Sequence, residues 1–115
     1  MPADDRRSSG VPPDAHEALR ASDAPAVVVG TGCLRRDLPG IPGVRTWIVE
    51  MAPGSRWPHV DRHDTGEAYY VLEGEVIEGD ARFAAGSYVR FASGSVHQPR
   101  TETGVRLFGL NPVAD

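Results

Sequence analysis

Glycine and proline interrupt this chain so often that a long helix has no room to form. There are 13 Gly and 10 Pro among the 115 residues. Between them lie short runs rich in β-branched and aromatic residues, the composition of strands joined by tight turns. Ala26 to Val29 is a β-branched run. Val44 to Met51 alternates, with Arg45, Trp47, Val49 and Met51 on one face and Val44, Thr46, Ile48 and Glu50 on the other. Both faces are apolar enough to be at least partly covered. Glu67 to Gly74 reads as a strand ending at a glycine, and Glu75 to Phe83 as two short strands around the Glu78-Gly79-Asp80 turn. Ser87 to Phe91 and Val105 to Asn111 complete the set, while residues 36–43 (RDLPGIPG) read as a turn-rich connection. This spacing predicts an all-β sandwich or barrel. Pattern alone leaves open an immunoglobulin-like sandwich, a lipocalin-like barrel and a double-stranded β-helix.

The first segment differs from the rest. Residues 1–24 are charged, small and Pro-rich, and read as a flexible N-terminal arm, with a turn or two of helix behind Asp14. Residues 25–115 read as one folded domain. All twelve basic residues are Arg, which excludes a Schiff-base lysine and a Walker-type phosphate loop. A net charge of -4 argues against a nucleic-acid surface. The single Cys33 allows neither an internal disulfide nor a Cys-rich zinc site, and is expected to be an inert buried thiol. No apolar run is long enough for a membrane-spanning helix, and the N-terminus lacks a secretory h-region. A soluble, cytoplasmic protein is the expectation.

Three of the four histidines lie between residues 59 and 97. In an extended strand His59, Asp61 and His63 project to one face. Glu67 follows the Asp64 to Gly66 turn, and a hairpin there returns it beside His63. His97 follows the Gly94-Ser95 turn. Imidazoles and carboxylates around an open position suit a divalent first-row metal, Fe(II), Mn, Ni, Cu or Zn, rather than calcium. A solvated turn explains the same local pattern, and Arg62 and Asp64 fit a solvated face.

Longer spacings add to this reading. Glu67 is followed by the six residues AYYVLE and then Gly74; Gly86 is followed by SYVRF, Ala92-Ser93-Gly94 and, two residues on, His97. With the phrases PGSRWP, GEAYYVLEG and AGSYVRFASGSVHQP, these spacings resemble the cupin family, specifically the ChrR-type (RmlC-like) cupins, from about Val44 to Leu110. The resemblance implies a double-stranded β-helix, or jelly-roll barrel. It also implies a metal held by either His59, His63, Glu67 and His97 or Asp61, His63, Glu67 and His97. Asp61 stands where the family motif has its first histidine. Of the two sets the one with His59 is preferred, a bulge at Val60-Asp61 re-aiming His59 and leaving Asp61 to orient an imidazole. Ala92 and Thr101 also depart from the second motif, where the family has Pro and Asn.

Tyr69 shares a strand face with Glu67 and reads as a substrate hydrogen-bond partner or a core tyrosine. Arg90 reads as a bidentate clamp for a carboxylate or enolate, or as an exterior arginine. Trp47, Trp57, Phe108 and Leu110 read as packing residues, and His16 has no partner in sight. The family resemblance implies a metal-dependent activity on a small-molecule substrate. The first reading is an Fe(II) dioxygenase acting on an enolisable carbonyl compound, with Glu67, Tyr69 and Arg90 as catalytic candidates. The alternatives are a redox-independent isomerase, cyclase or lyase using Zn, Ni or Mn, and a ligand-sensing cupin. An anti-sigma role is disfavoured, because residues 1–24 lack the ligands of the zinc domain it needs. A homodimer is expected, with Ala26 to Val29 as an exchanged strand.

Overall fold

The punctuated runs become nine strands in the computed structural model, which describes residues 15–113. They are β1 (Ala26–Gly30), β2 (Cys33–Leu38), β3 (Val44–Met51), β4 (Asp61–His63), β5 (Glu67–Glu78), β6 (Ala81–Ala84), β7 (Tyr88–Phe91), β8 (Ser95–His97) and β9 (Val105–Pro112). The only helical segment among the described residues is a single 3-10 turn, Ala21–Asp23. The helical turns expected behind Asp14 do not form across residues 15–20, and Asp14 itself, like residues 1–13, lies outside the described residues.

One sheet carries the order β1-β2-β3-β9-β5-β6, with β7 also paired to β5. A second, two-stranded sheet pairs β4 with β8. All pairings are antiparallel, so one face of the large sheet can be read from its register. Arg35, Val49, Leu107 and Val71 lie side by side across β2, β3, β9 and β5. In the next row lie Asp37, Trp47, Gly109 and Tyr69. Directly opposed residues share a face. Val49, Leu107, Val71, Trp47 and Tyr69 are all buried, so this is the inner face. Each large apolar side chain there contributes ~1.5–3 kcal/mol by leaving water. Gly109 is required by this packing, since any Cβ at that position would collide with the Trp47 indole.

Two strand boundaries differ from the sequence expectation. The segment expected as a connection from Arg36 is strand as far as Leu38. Its charges look loop-like, but Arg36 is bound by Glu50 (3.1 Å) and by the Ala24 carbonyl (2.7 Å), so the strand can carry it. The strand beginning at Glu67 does not end at Gly74 but runs on to Glu78. Gly74 continues it with φ 79°, packed so closely on the Gly104 carbonyl that no side chain fits. A bulge between Val71 and Glu73 shifts the register within β5. The hairpin expected at Glu78-Gly79-Asp80 is present, closing on the Glu78–Ala81 pair. β1 pairs with β2 of its own chain at the outer edge of the sheet.

Candidate metal centre

The two-stranded sheet sets up the cluster. In β4 and β8, Asp61 lies directly opposite His97, and His63 is two residues along from Asp61. All three therefore share one face, while Arg62 and Val96 face solvent. The backbone carbonyl of His63 accepts from Gly94 N–H (2.7 Å) and Gly66 N–H (3.3 Å), which ties the β4 end to both neighbouring turns. The turn at Gly66 brings Glu67 back beside His63, as the spacing predicted. Its carboxylate lies 3.1 Å from His63 Nε2 and 3.3 Å from His97 Nε2.

The donors converge. His63 Nε2 and His97 Nε2 are 2.7 Å apart. Asp61, His63 and His97 each present a ligand atom within 4.8 Å of the others. Two imidazole nitrogens and two carboxylates thus border one locus, at the side of a cavity of about 300 Å³ between the two sheets. That donor set fits a divalent first-row cation with open positions. Phe91 stacks on the His97 ring at 4.1 Å and fixes its plane.

His97 is held from the other side as well. Its Nδ1 lies 3.0 Å from both carboxylate oxygens of Glu78, and the Tyr69 hydroxyl donates to Glu78 Oε2 at 2.6 Å. Burial disfavours a charged His97, but the hydrogen bonds and negative charge of Glu67 and Glu78 outweigh it and raise its pKa to about 9. A position that holds a proton this firmly between carboxylates also favours a metal cation. Burial, then the bond to Glu78, pushes the Tyr69 hydroxyl well above its ordinary value, so it stays protonated.

Residues 15–113 match the family described as the ChrR cupin-like domain. The chain belongs to that family. Among solved structures, this cupin resembles a chain of the Rhodobacter sphaeroides complex of SigE with the anti-sigma ChrR, at 21% identity and a TM-score of 0.72. That match covers 80% of this chain and 51% of the other, so the cupin spans about half its length. The acetylacetone dioxygenase of Acinetobacter johnsonii is similar at 18% identity, with a TM-score of 0.73 and coverage of 90% and 78%. The polyketide cyclase RemF of Streptomyces resistomycificus is similar at 18% identity, with a TM-score of 0.74 and coverage of 85% and 80%. Likeness at these identities concerns the fold. No curated protein matches the chain in sequence.

In this cupin the two residues competing for the first ligand position are placed differently from the preferred reading. His59 lies before β4 and is half exposed, and its Nε2 contacts Asp61 Oδ1 at 2.9 Å. It lies on the lining of the same cavity, but no bulge sets it among the three converging donors, because the strand begins at Asp61 and is in register with β8 from there. Asp61 joins the converging donors, and His59 is the group beside it. Tyr69 lines the cavity as expected. Arg90 does not: alternation in β7 turns Val89 and Phe91 inward and leaves Arg90 and Tyr88 on the exposed face. Its clamp role is set aside on that ground. Cys33 is fully buried, and burial pushes its thiol up, in keeping with an inert role.

Glu78 was not foreseen. From Glu67 the period of two places 69 and 71 inward and 78 outward. The bulge in β5 reverses the alternation, so Glu78 meets Tyr69 nine residues away. Arg35 and Arg45 also line the cavity; alternation puts Arg45 on the face of Trp47 and Val49 without telling that this face is inward, and Arg35 lies outside the strands that the sequence pattern marks.

Proposed function

We propose that this cupin binds one divalent metal ion through Asp61, His63, Glu67 and His97 and acts on a small, enolisable carbonyl compound, with Fe(II)-dependent oxygenation as the first reading. The observation that carries this is the convergence of two imidazoles and two carboxylates on one locus at the side of a cavity. Two histidines with two carboxylates and room for open positions suit non-haem Fe(II) among the divalent first-row metals. A bound metal would supply Lewis acidity to a carbonyl oxygen and, as Fe(II), electrons for oxygen chemistry.

The chain's own residues account for the rest. Glu67, beside both Nε2 atoms, is the candidate to accept the proton released on enolisation. Tyr69 orients Glu78, which in turn orients His97. Val49, Trp47 and Leu107 form the apolar part of the cavity lining. Among the described residues no helix is long and apolar enough to cross a membrane. The expected homodimer, with Ala26 to Val29 exchanged between copies, stands as a proposal; this strand is at the sheet edge, with Val27 and Val28 exposed. Gel filtration giving a monomer would reject it.

The test is elemental mass spectrometry on untagged protein purified without chelators, followed by an oxygen-electrode screen of diketones and hydroxyketones. Iron near one per chain with substrate-dependent oxygen uptake supports the reading. Stoichiometric Zn, Ni or Mn that iron does not displace moves the assignment to redox-independent chemistry. Absence of any metal after loading overturns it.

A further inference from the structure

The inner face of a sheet is normally apolar, and in this chain it is apolar except at one end. Arg35 continues the row of Val49, Leu107 and Val71, Asp37 continues the row of Trp47, and Arg45 lies two residues before Trp47 on the same face. The two guanidiniums share one carboxylate: Arg35 Nε lies 3.1 Å from Asp37 Oδ1, and Arg45 Nη2 lies 3.4 Å from the same oxygen. Arg35 and Arg45 line the same cavity as the histidine and carboxylate cluster. Both guanidiniums lie at the partly exposed end of this face, their side chains 29% and 50% accessible, and among the described residues Asp37, itself half exposed, is the one carboxylate they touch. Among the described residues Arg35 Nη1 and Arg45 Nε and Nη1 have no acceptor within the chain. Trp57, on the same lining, has a buried Nε1 with no partner at all. A buried donor without an acceptor costs free energy, which a ligand acceptor would recover at Trp57, while the free N–H groups of the partly exposed arginines are open to a ligand.

We propose that the substrate carries a carboxylate, and that Arg35 and Arg45 bind it while the enolisable carbonyl lies at the Asp61, His63, Glu67 and His97 cluster. This rests on the proposed function and adds its substrate class. The fork of an arginine matches a planar carboxylate through two parallel hydrogen bonds. Asp37 is the internal stand-in for that group, holding both side chains extended at the mouth until the substrate competes for them. A cavity of about 300 Å³ sets the scale to a small keto acid.

The test uses two probes that differ in charge and by one methyl group: 4-acetyl-5-oxohexanoate, which is acetylacetone bearing a propanoate arm, and its methyl ester. Each is titrated calorimetrically into metal-loaded protein, into chelator-treated protein and into the R35Q and R45Q variants, whose folding is checked by thermal melting. The acid is expected to bind about tenfold or more tighter than the ester, and each variant to lose about tenfold for the acid alone. Equal affinity for acid and ester overturns the proposal, as does an equal loss for both in the variants or no binding of either. Failure of the metal reading looks different. In that case the acid keeps its advantage and its dependence on Arg35 and Arg45, and removing the metal changes nothing.

Discussion

The imidazole of His97 is gripped at both ends: Nδ1 faces the Glu78 carboxylate at 3.0 Å, and Nε2 is left to face His63 and Glu67. A carboxylate on one ring nitrogen fixes the tautomer and makes the other nitrogen the better metal ligand. Glu78→Gln is therefore expected to weaken metal binding about 10- to 100-fold while the chain stays folded. Competition titration against a chelator, with a thermal melt as the folding control, measures both. Unchanged affinity would show that Glu78 serves only packing.

The placement of Asp61 and His59 separates two ligand sets. Asp61→Ala is expected to abolish stoichiometric metal retention, since it removes a donor from the converging group. His59→Ala removes only the partner of the Asp61 carboxylate, and is expected to cost about tenfold or more in affinity without abolishing binding. Elemental analysis of the two purified variants decides. If His59→Ala alone empties the site, His59 is the ligand.

Without metal, His97 makes folding pH-dependent. Its folded pKa, about 9, lies above the ordinary value of 6.5, so the folded state keeps a proton that the unfolded chain releases. The resulting stability is fully present below pH 6.5 and is lost as pH rises through 9. Thermal melts of chelator-treated protein should fall across that window, and melts of metal-loaded protein should fall less, the cation taking the proton's place. Identical pH profiles with and without metal would contradict this.

Gly109 tests the packing under the cavity. Trp47 lies over it, with its Nε1 donating to Asn111 Oδ1 at 2.9 Å. Gly109→Ala is expected to destabilise the fold by ~1–3 kcal/mol, the usual cost of overpacking a core. Denaturant unfolding followed by tryptophan fluorescence reads the change. A loss below the detection limit would mean that the indole moves aside freely.

How the site was legible follows from where its signals sit along the chain. His63 and Glu67 were readable because their geometry is local, alternation in a short strand and then one turn at Gly66, whereas His97, 34 residues from His63 and brought in by the pairing of β4 with β8, was readable from the spacing of the family motif. The choice between His59 and Asp61 was not, because it depends on where β4 enters register with β8. Arg90 was ambiguous for a related reason, since alternation tells which residues share a face but not which face is inside. Burial of Phe91 and Val89 against the core decided it.

By itself the sequence determined an all-β chain of short strands, because closely spaced Gly and Pro leave room for nothing longer, and it determined the residue types of the cluster. The tertiary structure decided which of those residues meet. A bulge of one residue in β5 carries Glu78 to His97, and the pairing of β2 with β3 turns two arginines toward the cavity. Both depend on register between strands far apart in sequence, and a period of two within one strand does not encode which neighbour it will find.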